Sequence, residues 1–172
     1  GNGSIAEIGA LYRSRRLSVV EAVSWYLARI ERLAHLNAVR EISPHAQQAA
    51  RLADDALARG NDLGPLHGIP IAVKDNIQTR DLPTTGGSRA FATLQPTEDA
   101  PLVTHLREAG AIILAKTQMT ELANWVTVGM PANYNGLNGY GMNPYDPRVD
   151  PRPGLDDGRP VLTTGGSSSG VG

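Results

Sequence analysis

The sequence predicts an α/β fold, and two observations predict it. Up to about residue 60 the apolar residues recur every three or four positions, the spacing of amphipathic helices. Beyond that point, short β-branched runs at 66–75 and 111–115 alternate with another helical pattern. Strands that alternate with helices read as an at least partly parallel sheet. The 172 residues are expected to be the N-terminal portion of a single domain, with a helical segment at 1–60 and the first part of an α/β core at 61–172.

The elements follow in order. Ser4-Ile5-Ala6-Glu7 and Ser18-Val19-Val20-Glu21 are S-x-x-E capping boxes, which satisfy free N–H groups at helix starts. After the second box, Val20, Val23, Leu27, Ile30 and Ala34 form one apolar stripe, a core face rather than a cofactor contact. Ser43-Pro44 opens a third helix with proline at the tolerated first position. It runs through Ala49, Ala53 and Leu57 and stops at Gly60. "LHGIPIAVKD" (66–75) reads as a buried strand. Thr97 to Gly110 reads as a helix carrying Leu102, Val103 and Leu106, started by the paired Glu98-Asp99. "AIILA" (111–115) is a second buried strand, after which Thr117 is expected to cap a helix through Leu122 and Val126. From Gly129 the chain is dense in Pro, Gly, Asn and Asp and reads as a long irregular connection. No internal repeat is visible.

Composition excludes several function classes. Hydrophobic residues make up 41% and charged residues 19%, as in a globular protein with an ordinary core. The net charge of −1 gives no electrostatic pull toward nucleic acid or an anionic membrane. The longest aliphatic run, Ala111 to Ala115, is far too short to span a bilayer. The absence of cysteine removes disulfides, thiolate nucleophiles and cysteine metal sites from these residues. His35, His45, His67 and His105 show no metal-ligand spacing and read as solvated or structurally satisfied. No metal and no cofactor is expected, and the expected compartment is the cytoplasm.

Two stretches stand out chemically. Lys74 ends the apolar run "GIPIAVK", and lysine is seldom buried without a reason. Three accounts fit: the stem snorkels to the surface, the amine pairs with Asp75, or a lysine withdrawn from water serves as a base. The last ten residues, "TTGGSSSGVG" (163–172), have the composition of a flexible linker. They also suit active-site backbone, because glycine permits dihedrals closed to other residues. A serine–lysine pair is one form of nucleophile activation. No Ser–His–Asp arrangement can be picked out, and "GGSSSGVG" lacks the lysine of a phosphate-binding loop.

"GPLHGIPIAVKDNI" (64–77), "AGAIILAKTQMTELA" (109–123), "NPYDP" (143–147) and "GGSSSG" (165–170) stand in the order found in the amidase signature family. The resemblance runs from the N-terminal helices to the last residue. It implies an amidase-signature fold, in which N-terminal helices precede part of a mixed central β-sheet flanked by helices. It implies amide hydrolysis by a Ser–cis-Ser–Lys triad, with Lys74 as the terminal base and Ser167 as the cis serine, joined to Gly166 by a cis peptide bond. Neutral Lys74 would accept a proton from Ser167 while Ser167 takes one from the nucleophile, and the reverse relay would protonate the leaving amine. The resemblance also places Ala123, Asn124, Gly165 and Gly166 at the substrate; an ordinary helix end is the other reading of Ala123 and Asn124. The implied nucleophile, a second serine, and the oxyanion-hole glycines fall beyond Gly172. This chain by itself is therefore expected to be inactive. The expected partners are a small amide substrate and the remainder of the polypeptide. No nucleic acid and no membrane is expected, and a homo-oligomer stays open.

The resemblance has one departure. "RVDPRPGLDDGRPVLTT" (148–164) intervenes where family members have a few residues, and reads as a surface insertion at the mouth of the site. It shapes substrate choice or does nothing. "TTGGSRAF" (84–91) is a loop near the site or a plain glycine turn, and Glu121 reads as structural. Two alternatives stand beside an amidase for linear, non-peptide amides. One is the glutamine-hydrolysing A-type subunit of a tRNA-dependent amidotransferase, which shares these motifs. The other is an inactive fragment that serves as a partner surface. The insertion and the "GGSSSG" form favour a free-standing amidase.

Overall fold

The computed structural model describes residues 3–126 and 128–171. Helices α1 (Ile5–Arg13) and α2 (Val19–Arg32) begin on complete capping boxes. Ser18 Oγ accepts from Glu21 N at 3.0 Å, and the Glu21 carboxylate accepts from Ser18 N at 2.8 Å. A second cap on α2 comes from α3 (Ala46–Ala58): the Asp54 carboxylate accepts from Val19 N at 2.8 Å and Val20 N at 3.0 Å. A carboxylate there satisfies two otherwise free donors and opposes the positive end of the helix dipole.

Strand β1 (Val39–Ile42) has no counterpart in the sequence reading, because "VREI" carries no apolar run. It forms by antiparallel pairing with β3 (Ile112–Thr117), while β2 (Pro70–Lys74) runs parallel to β3 on the other side, in the order β1-β3-β2. The sheet is therefore mixed. Ser43 N extends the β1–β3 contact by donating to Leu114 O at 2.9 Å, and α3 starts at Ala46 rather than at Pro44. All six residues of β3 are buried, whereas β2 is an edge strand with Val73 buried and Ala72 exposed. The expectation of a strand buried throughout fits β3 and not β2.

Alternation along β3 divides the core. Ile112 and Leu114 pack with Val19, Val23 and Ala50 from α2 and α3, whereas Ile113 packs with Val73 and with Val103 of α4 (Pro101–Glu108). Successive strand side chains point to opposite faces, so helices cover the sheet on both sides. Gly68 lets the chain enter β2 beneath α2: at φ +73°, a Cβ there would come 2.6 Å from Val19 Cγ2. His67 beside it is buried, with Nδ1 accepting from Leu63 N and Nε2 against Ala53 O.

Two expected helices differ. The helix placed at 97–110 is shorter, with Pro101 at its first position. Glu98 and Asp99 precede it rather than start it. Asp99 instead accepts from Arg80 N at 2.9 Å and pairs with Arg107 at 3.0 Å, joining the segment after β2 to α4. The helix expected from Thr117 to Val126 does not form among the described residues. Strand β3 continues through Thr117, and only a short 3₁₀ turn follows at Glu121–Asn124. Leu122, Ala123 and Asn124 there have φ of +43°, +57° and +66°, a left-handed path that a right-handed helix cannot follow.

The connection after Gly129 contains a small hairpin, β4 (Tyr134–Asn135) with β5 (Gly139–Tyr140). Asn37 Nδ2 holds it by donating to Asn138 O at 2.7 Å and Tyr140 O at 2.8 Å. Beyond it a local repeat passed unnoticed in the sequence. Asp146 and Arg148, Asp150 and Arg152, and Asp157 and Arg159 form Asp-x-Arg ion pairs at 2.6, 2.6 and 2.8 Å. Hydrogen bonds from Arg152 pull the Asp150 carboxyl down to about 2. With a bridge between Val149 and Pro160 and the Asn143 amide donating to Thr163 O at 3.0 Å, this loop folds on itself.

Candidate active site

The parallel register aligns Lys74, the last residue of β2, with Thr117, the last residue of β3. The chain beyond β3 receives the glycine–serine block. Thr120 N donates to Ser167 O at 3.0 Å, and Gly170 N donates to Gln118 O at 2.9 Å. The block therefore lies at the carboxyl ends of two parallel strands, the place where open α/β sheets bind ligands. Its glycines are needed there. A Cβ on Gly170 would collide with the carbonyl of Ala38 and with Gln118 N, and one on Gly166 would come 2.9 Å from Thr120 Oγ1. Gly165 adopts φ +77°.

Within this frame Lys74 Nζ donates to Ser167 Oγ at 2.6 Å. The Gly166–Ser167 peptide bond is cis. Both Lys74 and Ser167 are half-buried, Ser168 is exposed and Ser169 is buried. The structure thus brings together Lys74, Gly165, Gly166 and Ser167. Ala123 and Asn124 lie on the left-handed turn that follows Thr120, and both are exposed. Ala123 N donates to Thr120 O at 2.9 Å, one residue step from the contact with Ser167. Glu121 accepts from Gly136 N at 2.8 Å, which ties this turn to the hairpin.

The wholly buried lysine is not Lys74 but Lys116 on β3, at 0% exposure. Its Nζ donates to Ile77 O at 2.7 Å and Thr84 Oγ1 at 2.8 Å, and lies 3.6 Å from Asp75 Oδ1. Desolvation brings its pKa down to about 8 against the opposing pull of Asp75. The Asp75 carboxylate, also fully buried, pairs with Arg40 Nε at 2.9 Å and accepts from Thr85 N and Thr85 Oγ1. Asp75, the partner in the ion-pair account of Lys74, is therefore committed elsewhere. A signal for Lys116 was present: "AIILAK" is another apolar run ending in lysine, and only two of the 16 lysines and arginines are lysines, Lys74 and Lys116.

The "TTGGSRAF" segment is more than a turn. Thr84 and Thr85 supply the oxygens just described, Gly86 N donates to Asp75 O at 2.9 Å, and Leu122 N donates to Gly86 O at 2.7 Å. Among the described residues no group of three or more His, Cys, Asp or Glu side chains could hold a metal ion. No described helix is long and apolar enough to cross a membrane.

Known proteins are similar to this chain in sequence and in fold. The sequence model of the family described as Amidase matches residues 21–172. A putative amidase, AmiD, of Mycobacterium tuberculosis is 40% identical over 145 residues, covering 83% of this chain and 29% of that protein. The A-type subunit of the glutamyl-tRNA(Gln) amidotransferase of Thermobifida fusca is 36% identical over 170 residues, covering 98% of this chain and 31% of that protein. The native peptide amidase of Stenotrophomonas maltophilia superposes with a TM-score of 0.89 at 33% identity, covering 99% of this chain and 33% of that structure. The chain spans less than a third of the length of the curated relatives named here.

Proposed function

The chain belongs to the Amidase family, and from that premise we propose that it supplies the base and the relay serine of an amide hydrolase acting on linear amides. The observation that carries the reading is the 2.6 Å contact between Lys74 Nζ and Ser167 Oγ at the strand ends. In its neutral form the amine accepts the Ser167 proton through this same contact while Ser167 takes a proton from the attacking hydroxyl; the reverse transfer delivers a proton to the leaving amine. The nucleophilic serine and the oxyanion donors come from outside the 172 residues. Gly165, Gly166, Ala123 and Asn124 border the substrate, chiefly through main chain. The 148–164 loop, closed on itself by the Val149–Pro160 bridge, shapes the entrance. The partner is a small amide, no cofactor takes part, and the compartment is the cytoplasm.

The test is ammonia release from linear amides, peptide amides and glutamine by the natural polypeptide that carries this chain. Lys74→Ala and Ser167→Ala should each lose about 10²–10⁴ in rate, the range for a general acid–base group. Residues 1–172 alone should hydrolyse none of the substrates. Full activity in Lys74→Ala, or Lys74-dependent hydrolysis by the 172-residue chain, would overturn the mechanism. A second reading draws on the similarity to the A-type amidotransferase subunit over 98% of the chain. Glutamine hydrolysis that needs added partner proteins, with no other amide accepted, would favour it.

A further inference from the structure

Lys74 and Lys116 sit one register step apart, because Val73 pairs with Lys116 and Lys74 with Thr117. Alternation along the strands sends their side chains to opposite faces of the sheet. Lys74 meets Ser167, whereas Lys116 enters the loop that follows β2.

We infer that Lys116 is a positioning residue for the proposed hydrolysis: its ammonium pins the 75–86 loop, whose two ends hold Lys74 and Ser167 in register. The inference rests on the reading of Lys74 and Ser167 as base and relay. An ammonium has three protons and accepts nothing, so it suits a ring of acceptors. Around Nζ stand Ile77 O at 2.7 Å, Thr84 Oγ1 at 2.8 Å, and Thr79 Oγ1 and Pro83 O at 3.4 Å each. All four belong to that loop. Neutralising Asp75 does not by itself account for Lys116. Arg40 already pairs with Asp75 at 2.9 Å, while Lys116 is 3.6 Å away.

From the loop, two short routes lead to the site. At its start, Asp75 follows Lys74 directly, Asp75 N donates to Thr117 O at 3.1 Å, and Ile77 N donates to Lys74 O at 2.9 Å. At its end, Gly86 N donates to Asp75 O, Leu122 N to Gly86 O, Ala123 N to Thr120 O, and Thr120 N to Ser167 O. The same pinned loop therefore fixes the strand end that carries Lys74 and the turn that receives Ser167. With a pKa of about 8, Lys116 remains largely charged at neutral pH despite its burial.

The experiment replaces Lys116 with methionine, similar in length and without protons, in the natural polypeptide. Arg40 stays paired with Asp75 in this variant, so the buried carboxylate keeps a counter-charge. A misplacement of about 1 Å at a reacting centre costs about 10²-fold in rate. Lys116→Met is therefore expected to keep its circular dichroism spectrum, lose at least about tenfold in kcat and hold KM within about threefold. In a Lys74→Ala background it should cause a much smaller loss, because it acts through the Lys74–Ser167 contact. Wild-type kcat in Lys116→Met, or a loss that adds in full to Lys74→Ala, overturns the inference. If Lys116→Met fails to fold, Thr84→Val removes one acceptor and leaves the Asp75 pair. It should then lower kcat by about threefold at constant KM, and an unchanged kcat counts against the inference. A readout independent of catalysis uses lysine labelled with ¹³C at Cε, with the Lys74 signal assigned by its loss in Lys74→Ala. Lys116→Met should shift or broaden the Lys74 signal. If the wild-type protein hydrolyses no amide, the functional reading fails, and an unchanged Lys74 signal then separately refutes the positioning role.

Discussion

Lys74 Nζ reaches Ser167 Oγ at 2.6 Å across 93 positions of the chain. The contact exists because Lys74 is registered on β3 and Ser167 on the chain that leaves it. Lys74 is aligned with Thr117, and Ser167 is held through its carbonyl by Thr120 N. Anything that shifts the chain after β3 moves one member of the pair relative to the other.

If Lys74 acts as a base rather than as a fixed charge, Lys74→Arg should fail as fully as Lys74→Ala. Arginine keeps the charge but does not deprotonate in a protein. The expected loss is about 10²–10⁴ in amide hydrolysis by the natural polypeptide. Substantial retained activity in the arginine variant would point to a counter-charge instead.

Lys116 sets a pH dependence of stability. Its pKa is about 8 in the fold against an ordinary 10.5, so between those values the unfolded state holds more protons. Unfolding free energy then rises with pH. The cost of burying the ammonium is fully present below about pH 8 and is relieved toward pH 10.5. Relative to Lys116→Met, the wild type should gain on the order of a few kcal/mol across this window. Tyr12, pushed upward by burial, acts in the opposite sense at higher pH but is common to both proteins. Urea titrations at pH 7.5, 8.5 and 9.5 compare the pair, and a difference that stays flat would refute the titration of Lys116.

Helix α2 should depend on Asp54 more than on its own cap. Ser18→Ala removes the cap bond from Glu21 N and an exposed bond to the Glu21 carboxylate, and should cost about 1 kcal/mol. Asp54→Ala removes two charge-assisted bonds, to Val19 N and Val20 N, and should cost about 2 kcal/mol. Chemical denaturation of the two variants gives the order, and a larger loss for Ser18→Ala would contradict it.

Gly170→Ala should damage the site from a distance. The added Cβ would meet the Ala38 carbonyl and Gln118 N, backbone atoms bonded to each other beside β1 and β3 that cannot swing aside. The block must move instead. The expected outcome is a loss of about 1–3 kcal/mol in stability and about 10²-fold in activity. Ser168→Ala, two residues earlier at an exposed position, should stay near wild type in both assays.

What the sequence determined by itself was local. The capping boxes at Ser4 and Ser18 act over three residues, and the apolar stripe of α2 repeats within one turn, so both were legible before any contact was known. The runs leading into Lys74 and Lys116 were equally plain as strands. The order of four motifs, rather than any spacing, singled out Lys74 and Ser167. Tertiary structure decided the rest. Strand β1 exists because β3 offers it an edge, since "VREI" has no apolar pattern of its own. The helix expected after Thr117 gives way to a left-handed turn tied to Gly86, a contact 36 residues away in sequence. Burial also separated the two lysines. Lys74 ends an edge strand and stays half-exposed, whereas Lys116 lies in the central strand beneath the 75–86 loop and loses its water entirely. Desolvation depends on what covers a residue, and the apolar run that precedes Lys116 has its equal before Lys74.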